Sequence, residues 1–465
     1  MRDIRLHNTM SGQLESITPI NAGVISLYTC GLTVYDYGHI GNFRTFLFYD
    51  ILRRTLENAN YTVNHVMNVT DVGHLVSDAD DGQDKLEKGA AREGRTAWEI
   101  ASYYIEAYHT DRARLNILAP SVKEPRATDY IPEQIALVEE LERRGFTYAI
   151  SDGIYFDTGK LDDYGKLAHL DIEGLQAGIR VELNPEKRNP TDFALWKFSP
   201  TNEQRQMEWK SPWGIGFPGW HLECSAMAMK LLGDTIDIHC GGIDHIPVHH
   251  TNEIAQSEAA TGKPFSNLWL HAEFLLVDGG KMSKSKGNFY TIQDLMDRGY
   301  NPLAFRYLTL TAHYRSKMNF TMQSLDSAQS ALNALIYRVS TLLGSMSAPD
   351  SESMNVFNAA LDADLNTPIA VAELWNILKS GEPSDVKLAT VLAMDSILGL
   401  DLVSQAEGLK HRMSEAGSNF AELLEERELA RREKDWATAD SIRDEITASG
   451  FAIEDTPDGP IVKPA

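Results

Sequence analysis

Cysteine is scarce in this chain, with three residues in 465, and that scarcity excludes a disulfide framework. Cys30, Cys224 and Cys240 form an odd set in which burial or metal binding competes for each thiol. Positive charge is also short: 43 Lys+Arg stand against 66 Asp+Glu, a formal net charge of -23. A nucleic-acid partner would have to be met by a local basic patch and not by the overall field. Long apolar runs are missing. No stretch approaches the roughly 20 apolar residues a membrane helix needs, and Met1 to Ile17 lacks an apolar signal core, so a cytoplasmic location with no membrane is expected. There is no internal repeat and no extended low-complexity tract.

What is present is a large globular chain, 43% hydrophobic, with room for about three domains. Ile25 to Cys30 reads as a strand leading through Gly31 into a loop that ends at His39; Phe43 to Glu57 carries apolar residues at helical spacing, and Tyr61 to Val69 returns as a strand. Strands alternating with helices of this length predict a parallel α/β sheet. Helical patterns at Ala97 to Asn116 and Ile131 to Arg144, and a strand pair near Tyr148 to Asp157, read as a second unit inserted into the first. The α/β rhythm resumes from Gly219 to Leu276, with a strand at Thr235 to Ile238. Asn301 to Gly344 is helical and Ser345 to Met354 is a Ser-rich linker. Helices follow at Val356 to Ala363, Pro368 to Ser380, Ser384 to Leu398, Phe420 to Lys434 and Ala437 to Ser449, and a β-like tail, Phe451 to Val462, turns at Pro457-Asp458-Gly459.

Two motifs point to a nucleotide. His39-Ile40-Gly41-Asn42 lies where a strand loop hands over to a helix, and Gly41 lets a flat base or ribose approach the backbone. Taken alone, it also fits a histidine capping a loop. The run Gly279-Gly280-Lys281-Met282-Ser283-Lys284-Ser285-Lys286-Gly287-Asn288 is more specific: flexible glycines flank two lysines three apart, with serine donors, a pattern suited to a mobile phosphate clamp. The pair resembles the two signature motifs of class I aminoacyl-tRNA synthetases, written HIGH and KMSKS. The second matches throughout; in the first, Asn42 replaces the second histidine. Gly241-Gly242-Ile243-Asp244 resembles the class's ribose-binding glycine pair and acid.

Cys30, Cys224, His249 and Glu253 offer two thiolates, an imidazole and a carboxylate, a set that suits tetrahedral Zn²⁺. His249 and Glu253 stand four apart and share a helix face. Cys240, His239, His245, His250 and His221 are competing donors; His249 is preferred because its i,i+4 partner is an acid, whereas His250 pairs with Ile254. The four match, residue by residue, the zinc ligands of the cysteinyl-tRNA synthetase family. The resemblance covers nearly the whole chain, including Tyr28 to Asp36, Asn68-Val69-Thr70-Asp71, Asn189 to Phe193 and Asp455-Thr456-Pro457. At Cys240 the family usually has glycine, so a free thiol is expected there.

The resemblance implies a Rossmann-like catalytic domain in two halves, 1–71 and 219–290, around an inserted connective and acceptor-end region, 72–218. A helical stem-contact region, 291–344, and a helical, anticodon-binding α+β domain, 345–465, then follow. It implies ATP with Mg²⁺ held by His39, Gly41, Asn42, Gly242, Asp244, Lys281, Ser283 and Lys284. His39, Asn42, Lys281 and Lys284 would stabilise the phosphates, while Trp220, Gly31 and Thr70 would line the cysteine pocket. A metal gives the thiol selectivity that a shape-matched pocket, limited to about 1 to 3 kcal/mol between near-isosteres, cannot. Zn²⁺, L-cysteine and tRNA(Cys) are the implied cofactor and partners, with one zinc per chain and a monomer expected. Arg427, Arg431, Arg432, Lys434 and Arg443 with Trp436 are candidates for RNA contact, although interspersed Glu residues fit a solvated helix face equally well. The acidic stretch from Gly73 to Arg95 is longer than in many relatives. A mycothiol-pathway ligase joining cysteine to a small amine, and a weakly catalytic tRNA- or zinc-binding regulator, are the alternatives.

Overall fold

A computed structural model describes residues 1–72, 86, 94–169, 184–200, 205–282, 287–456 and 459–464. The chain divides into two compact units, one made of Met1–Gln329 and Asn355–Leu374, the other of Ser330–Met354 and Trp375–Ala465.

The first unit opens with a hairpin, β1 (Arg5–Asn8) and β2 (Gln13–Ser16), and continues through β3 (Val24–Thr29), helix α1 (Ile40–Asn58) and β4 (Thr62–Met67). β3 and β4 run parallel, joined by α1 as a βαβ crossover. The chain then leaves this sheet for α2 (Ala97–Arg114), α3 (Ile131–Arg143) and an antiparallel sheet of β5 (Thr147–Ile150), β6 (Gly153–Phe156), β7 (Phe193–Phe198), β8 (Trp209–Ser211) and β9 (Gly214–Pro218), ordered β5-β6-β7-β9-β8. It returns through α4 (Trp220–Leu232), β10 (Ile236–Gly242), α5 (Thr251–Thr261) and β11 (Ser266–Ala272). The parallel sheet is thereby completed in the order β11-β10-β3-β4, with Tyr28 opposite His239 and Thr29 opposite Cys240.

β3, the first strand of this sheet in chain order, is an inner strand, and its two neighbours, β4 and β10, lie on opposite sides of it. The crevice outside the carboxyl ends of such a pair is where open α/β sheets hold ligands. Alternation along β10 sends successive side chains to opposite faces. Tyr28, Val66 and Trp269 cluster with Cys30, Cys224, Met227 and Ile254 on the face covered by α4 and α5. A second cluster, including Leu137, Phe156, Phe193, Trp196, Leu222 and Ala255, packs α3, α4 and α5 against the antiparallel sheet.

In the second unit, helices Ser384–Leu398, Leu402–Asn419, Ala421–Glu433 and Trp436–Ala448 precede a hairpin of Phe451–Thr456 and Gly459–Pro464. Ala416, Leu424, Ile442, Ile446 and Val462 form its small core with Phe420, Phe451 and Ile453 around them. The Leu402–Asn419 helix has no counterpart among the sequence expectations. The expected linker also ends early, because a helix begins at Ser351. Pro457 and Asp458 of the expected turn lie outside the described residues. Among the described residues no helix is long and apolar enough to cross a membrane.

Candidate active site and metal centre

His39 caps α1. Its Nδ1 accepts the backbone N–H of Asn42 at 3.1 Å, while Asn42 Oδ1 accepts the backbone N–H of His39 at 3.0 Å. This reciprocal capping box explains the asparagine in structural terms: a short amide reaches back over the turn as Glu or Gln does in the usual box. It also fixes the ring, because a neutral His39 whose Nδ1 accepts must carry its proton on Nε2. The predicted helix start at Phe43 is corrected to Ile40, since the cap residues before it read as loop in the sequence.

The two nucleotide motifs adjoin. The Ile40 N–H donates to Tyr290 O at 2.9 Å, His39 and Thr291 form a β-bridge, and the His39 ring meets Phe289 edge-on at 5.3 Å. Gly41 faces Met282 so closely that a Cβ there would lie 2.6 Å from the methionine methyl. Lys281 is exposed, and its carbonyl accepts from Asn288 Nδ2 at 3.3 Å. Ser283 and Lys284 lie outside the described residues. Gly242 ends β10 and Asp244, exposed, follows in a 3-10 turn; a Cβ on Gly242 would lie 2.4 Å from Asp244 Oδ1.

Behind this edge lies the metal candidate. Cys30 leaves β3, Cys224 sits on α4, and His249 and Glu253 come from the segment after β10; one ligand atom from each lies within 4.8 Å of the others, and all four residues are buried. His249 stands in a π-helical turn, Ile246–His250, that runs into α5, so the i,i+4 spacing spans two helix types, yet His249 Nε2 lies 3.0 Å from Glu253 Oε1. Cys30 Sγ is 3.9 Å from the same oxygen. A second group, Cys30, His239, His250 and Glu253, meets the same distance criterion. His239 Nε2 lies 2.9 Å from Glu253 Oε2 and His250 Nε2 3.3 Å from Cys30 Sγ. Of the competing donors, His239 and His250 therefore reach the cluster, whereas Cys240 belongs to neither group and remains a buried free thiol. His221 reaches it indirectly, with Nδ1 2.9 Å from His249 Nδ1.

Electrostatics separate the two thiols. Burial and then Cys224 push the Cys30 thiol well above its ordinary range. The hydrogen bond with Cys30 lowers the Cys224 thiol, against burial and Glu253, with help from His249. Burial works against charge on both His249 and Glu253, but their mutual attraction prevails: His249, aided by Cys224, is pushed up to about 10, and Glu253 is held below the usual carboxylate range by His239 and His249. A buried set of two sulfurs, an imidazole and a carboxylate, already within contact distance, fits a zinc ion, whose bonds of roughly 2.0–2.3 Å gather donors to about this spread.

The walls follow from the same elements. Trp220, the first residue of α4, stacks on His249 with ring centroids 4.5 Å apart. Gly31 donates its N–H to Asn68 Oδ1 at 2.9 Å, and a Cβ at this position would fall 1.7 Å from Asn68 O, so only glycine fits. Buried Thr70 accepts from Asn68 Nδ2 at 3.1 Å and bridges to Thr33.

Comparison with known proteins agrees with this geometry. Residues 16–330 match the family model of the class I (C) tRNA synthetase catalytic domain, and residues 416–460 match that of the cysteinyl-tRNA ligase anticodon binding domain. A cysteine--tRNA ligase 1 of Burkholderia lata is 52% identical over 98% of this chain and 96% of its own length. The cysteine--tRNA ligase of Treponema denticola is 43% identical over 97% and 98%. This chain belongs to the cysteine--tRNA ligase family. Among solved structures, a Mycobacterium tuberculosis methionyl-tRNA synthetase with methionyl-adenylate shares the fold at a TM-score of 0.54 and 15% identity, covering 86% of this chain and 94% of the other. The LeuRS–tRNA–LeuAMS ternary complex of Agrobacterium radiobacter K84 does so at 0.57 and 12%, covering 84% and 86%. These place the family's class I fold on this chain, with its parallel sheet and flanking helices.

In the second unit, the basic residues singled out in the sequence are partly spoken for. Arg427 and Arg431 both reach Asp455 Oδ1 at 2.8 Å, and Arg443 pairs with Asp440 at 3.1 Å. Arg432 and Lys434 are exposed, and Trp436 presents 60% of its surface.

Proposed function

We propose that this chain, an ATP-dependent cysteine--tRNA ligase, selects its amino acid through one zinc ion held by Cys30, Cys224, His249 and Glu253. The observation that carries the reading is the convergence of these four buried donors within 4.8 Å, beside the loops that bear both nucleotide motifs. When bound, zinc supplies a Lewis acid that holds a deprotonated sulfur and leaves an alcohol of ordinary acidity unbound.

The chain's own residues do the rest. Trp220, stacked on His249, closes the side of the thiol pocket. Gly31 and Thr70, fixed through Asn68, border the amino and carboxylate groups. Mg-ATP lies across the two signature motifs, with Gly41 leaving room at the backbone and Gly242 and Asp244 taking the ribose. His39 offers Nε2–H, and Asn42, Lys281, Ser283 and Lys284 add donors and charge at the phosphates. A cysteine carboxylate oxygen attacks the α-phosphorus, the bond to the β-phosphate oxygen breaks, and pyrophosphate leaves. A hydroxyl of the terminal ribose of tRNA(Cys) then attacks the adenylate carbonyl, loses its proton, and AMP departs. Positioning and charge stabilisation carry both steps, with no nucleophilic side chain.

The second unit binds the anticodon in this reading, supported by the match over residues 416–460. The same match disfavours the small-amine ligase, and the adjoining nucleotide motifs disfavour a non-catalytic regulator. The enzyme acts as a cytoplasmic monomer. Cysteine-dependent exchange of pyrophosphate into ATP, absent with serine and followed by charging of tRNA(Cys), is the expected result. Exchange without charging would return the small-amine ligase, and no exchange would refute both enzymes.

A further inference from the structure

A single line of polar side chains runs from Cys30 toward the surface. Cys30 Sγ lies 3.3 Å from His250 Nε2, His250 Nδ1 lies 2.8 Å from His271 Nε2, and His271 Nδ1 lies 2.7 Å from the Thr9 hydroxyl. His250 and His271 are buried and Thr9 is half-buried. The backbone holds each member in place. The His250 ring fills the space that Gly241 leaves, since a Cβ there would lie 2.4 Å from its Cε1. His271 belongs to β11, and Thr9 opens the turn of the β1–β2 hairpin. That hairpin docks on β11 through the Thr9 N–H, which donates to Trp269 O at 2.8 Å, and through Asn8 Oδ1, which accepts the Trp269 N–H at 3.1 Å.

Such a line can point in only two directions. Burial, aided by neighbouring imidazoles, pushes both rings well below the ordinary histidine range, so each is neutral and carries one proton. A metal-bound thiolate only accepts, so with Cys30 as a ligand His250 donates from Nε2. His250 Nδ1 then accepts from His271 Nε2, and His271 Nδ1 accepts from the Thr9 hydroxyl. Were His250 itself a ligand through Nε2, every bond would reverse and Thr9 would accept. We propose that Thr9 and His271 are positioning residues that hold His250 as a hydrogen-bond donor to the Cys30 sulfur and not as a metal ligand. This rests on the metal centre proposed above. It divides the two adjacent histidines that reach Glu253: His249 ligates and His250 donates. An N–H on a thiolate draws charge from the sulfur, which leaves the metal more electrophilic toward the substrate thiol.

The test substitutes Thr9 in the full chain carrying Co²⁺. Thr9→Val removes the hydroxyl and keeps both the shape and the backbone bond to Trp269. It should move the sulfur-to-metal absorption to longer wavelength, because the Cys30 sulfur holds its electrons less tightly once the donor line is cut. The KM for cysteine should rise about 3- to 10-fold, the factor that one hydrogen bond carries. The KM for ATP, and exchange at saturating cysteine, should stay within about twofold. Thr9→Ser should restore both band and KM, and His250→Gln should still bind one Co²⁺ per chain at saturating metal. A band that Thr9→Val leaves in place overturns the inference, since a merely structural role would lower exchange without moving it. Loss of the metal from His250→Gln makes His250 a ligand and also overturns it. Absence of any sulfur-to-metal absorption in the wild type would refute the metal centre itself, and the inference with it.

Discussion

Asn42 is the position where a structural and a catalytic role can be pulled apart. The amide carbonyl oxygen completes the capping box by accepting the His39 N–H at 3.0 Å, while the amide nitrogen is the group proposed to face the phosphates. Asn42→Ala removes both. Loss of a capping partner costs about 1 kcal/mol, so the unfolding free energy in urea, followed by tryptophan fluorescence, should fall by about that amount. Loss of a neutral donor to developing charge on phosphorus should lower the rate of cysteine-dependent exchange by about 100-fold or more. Asn42→Asp keeps the acceptor, gains a few tenths of a kcal/mol from the helix N-terminus, and replaces the donor with negative charge. It should therefore be at least as stable as the wild type and yet as slow as the alanine variant or slower. An Asp variant with wild-type exchange would refute the reasoning, reducing Asn42 to a cap and leaving phosphate stabilisation to His39 and the lysine run. An Ala variant with unaltered stability would show that the reciprocal bond contributes nothing.

Two further expectations follow from packing and charge. Gly31→Ala would put a methyl 1.7 Å from Asn68 O, a backbone atom that cannot swing aside, so the ends of β3 and β4 must part. About 1–3 kcal/mol of stability should be lost and the KM for cysteine should rise; a variant with wild-type KM would show that Gly31 lies away from the pocket. Asp71 is raised to about 6 by burial, against hydrogen bonds from the Thr128 N–H at 3.0 Å and hydroxyl at 2.7 Å. Between pH 4 and 6 the unfolded chain gives up this proton before the folded one does. The group therefore subtracts stability as pH rises through that window, by about 3 kcal/mol in total, and contributes no slope above it. Asp71→Asn should remove this slope from the difference between variant and wild-type urea curves; parallel curves would contradict the assignment.

The chemistry of this site was more legible in the sequence than the architecture carrying it. Cys30, Cys224, His249 and Glu253 each have a blander local explanation, and they could be singled out because they fall beside the nucleotide motifs and match, residue by residue, the zinc ligands of the family. The π-helical turn that aims His249 left no signal, since it depends on how Ile246 to His250 pack and not on composition. Spacing prefers His249 to His250, and the structure places both within reach of Glu253, His249 at 3.0 Å and His250 at 3.9 Å. The capping role of Asn42 was hidden because histidine is an unusual cap and asparagine an unusual partner for it. The order of the antiparallel sheet is non-local, pairing β6 with β7 across some forty residues, and the buried stripe of the Leu402–Asn419 helix is made half of alanine (Leu402, Ala406, Leu409, Ala416), which gives its helical spacing little contrast.

Selection of cysteine by a metal at these four residues is the claim on which the account turns. Its most direct measurement is the visible absorption of the enzyme carrying Co²⁺ in place of zinc, titrated first with serine and then with cysteine. The account predicts one metal per chain, no change with serine, and new sulfur-to-metal absorption that saturates at one cysteine per chain. A spectrum that cysteine leaves unmoved, in an enzyme that still exchanges pyrophosphate with cysteine alone, would show that the thiol is read elsewhere.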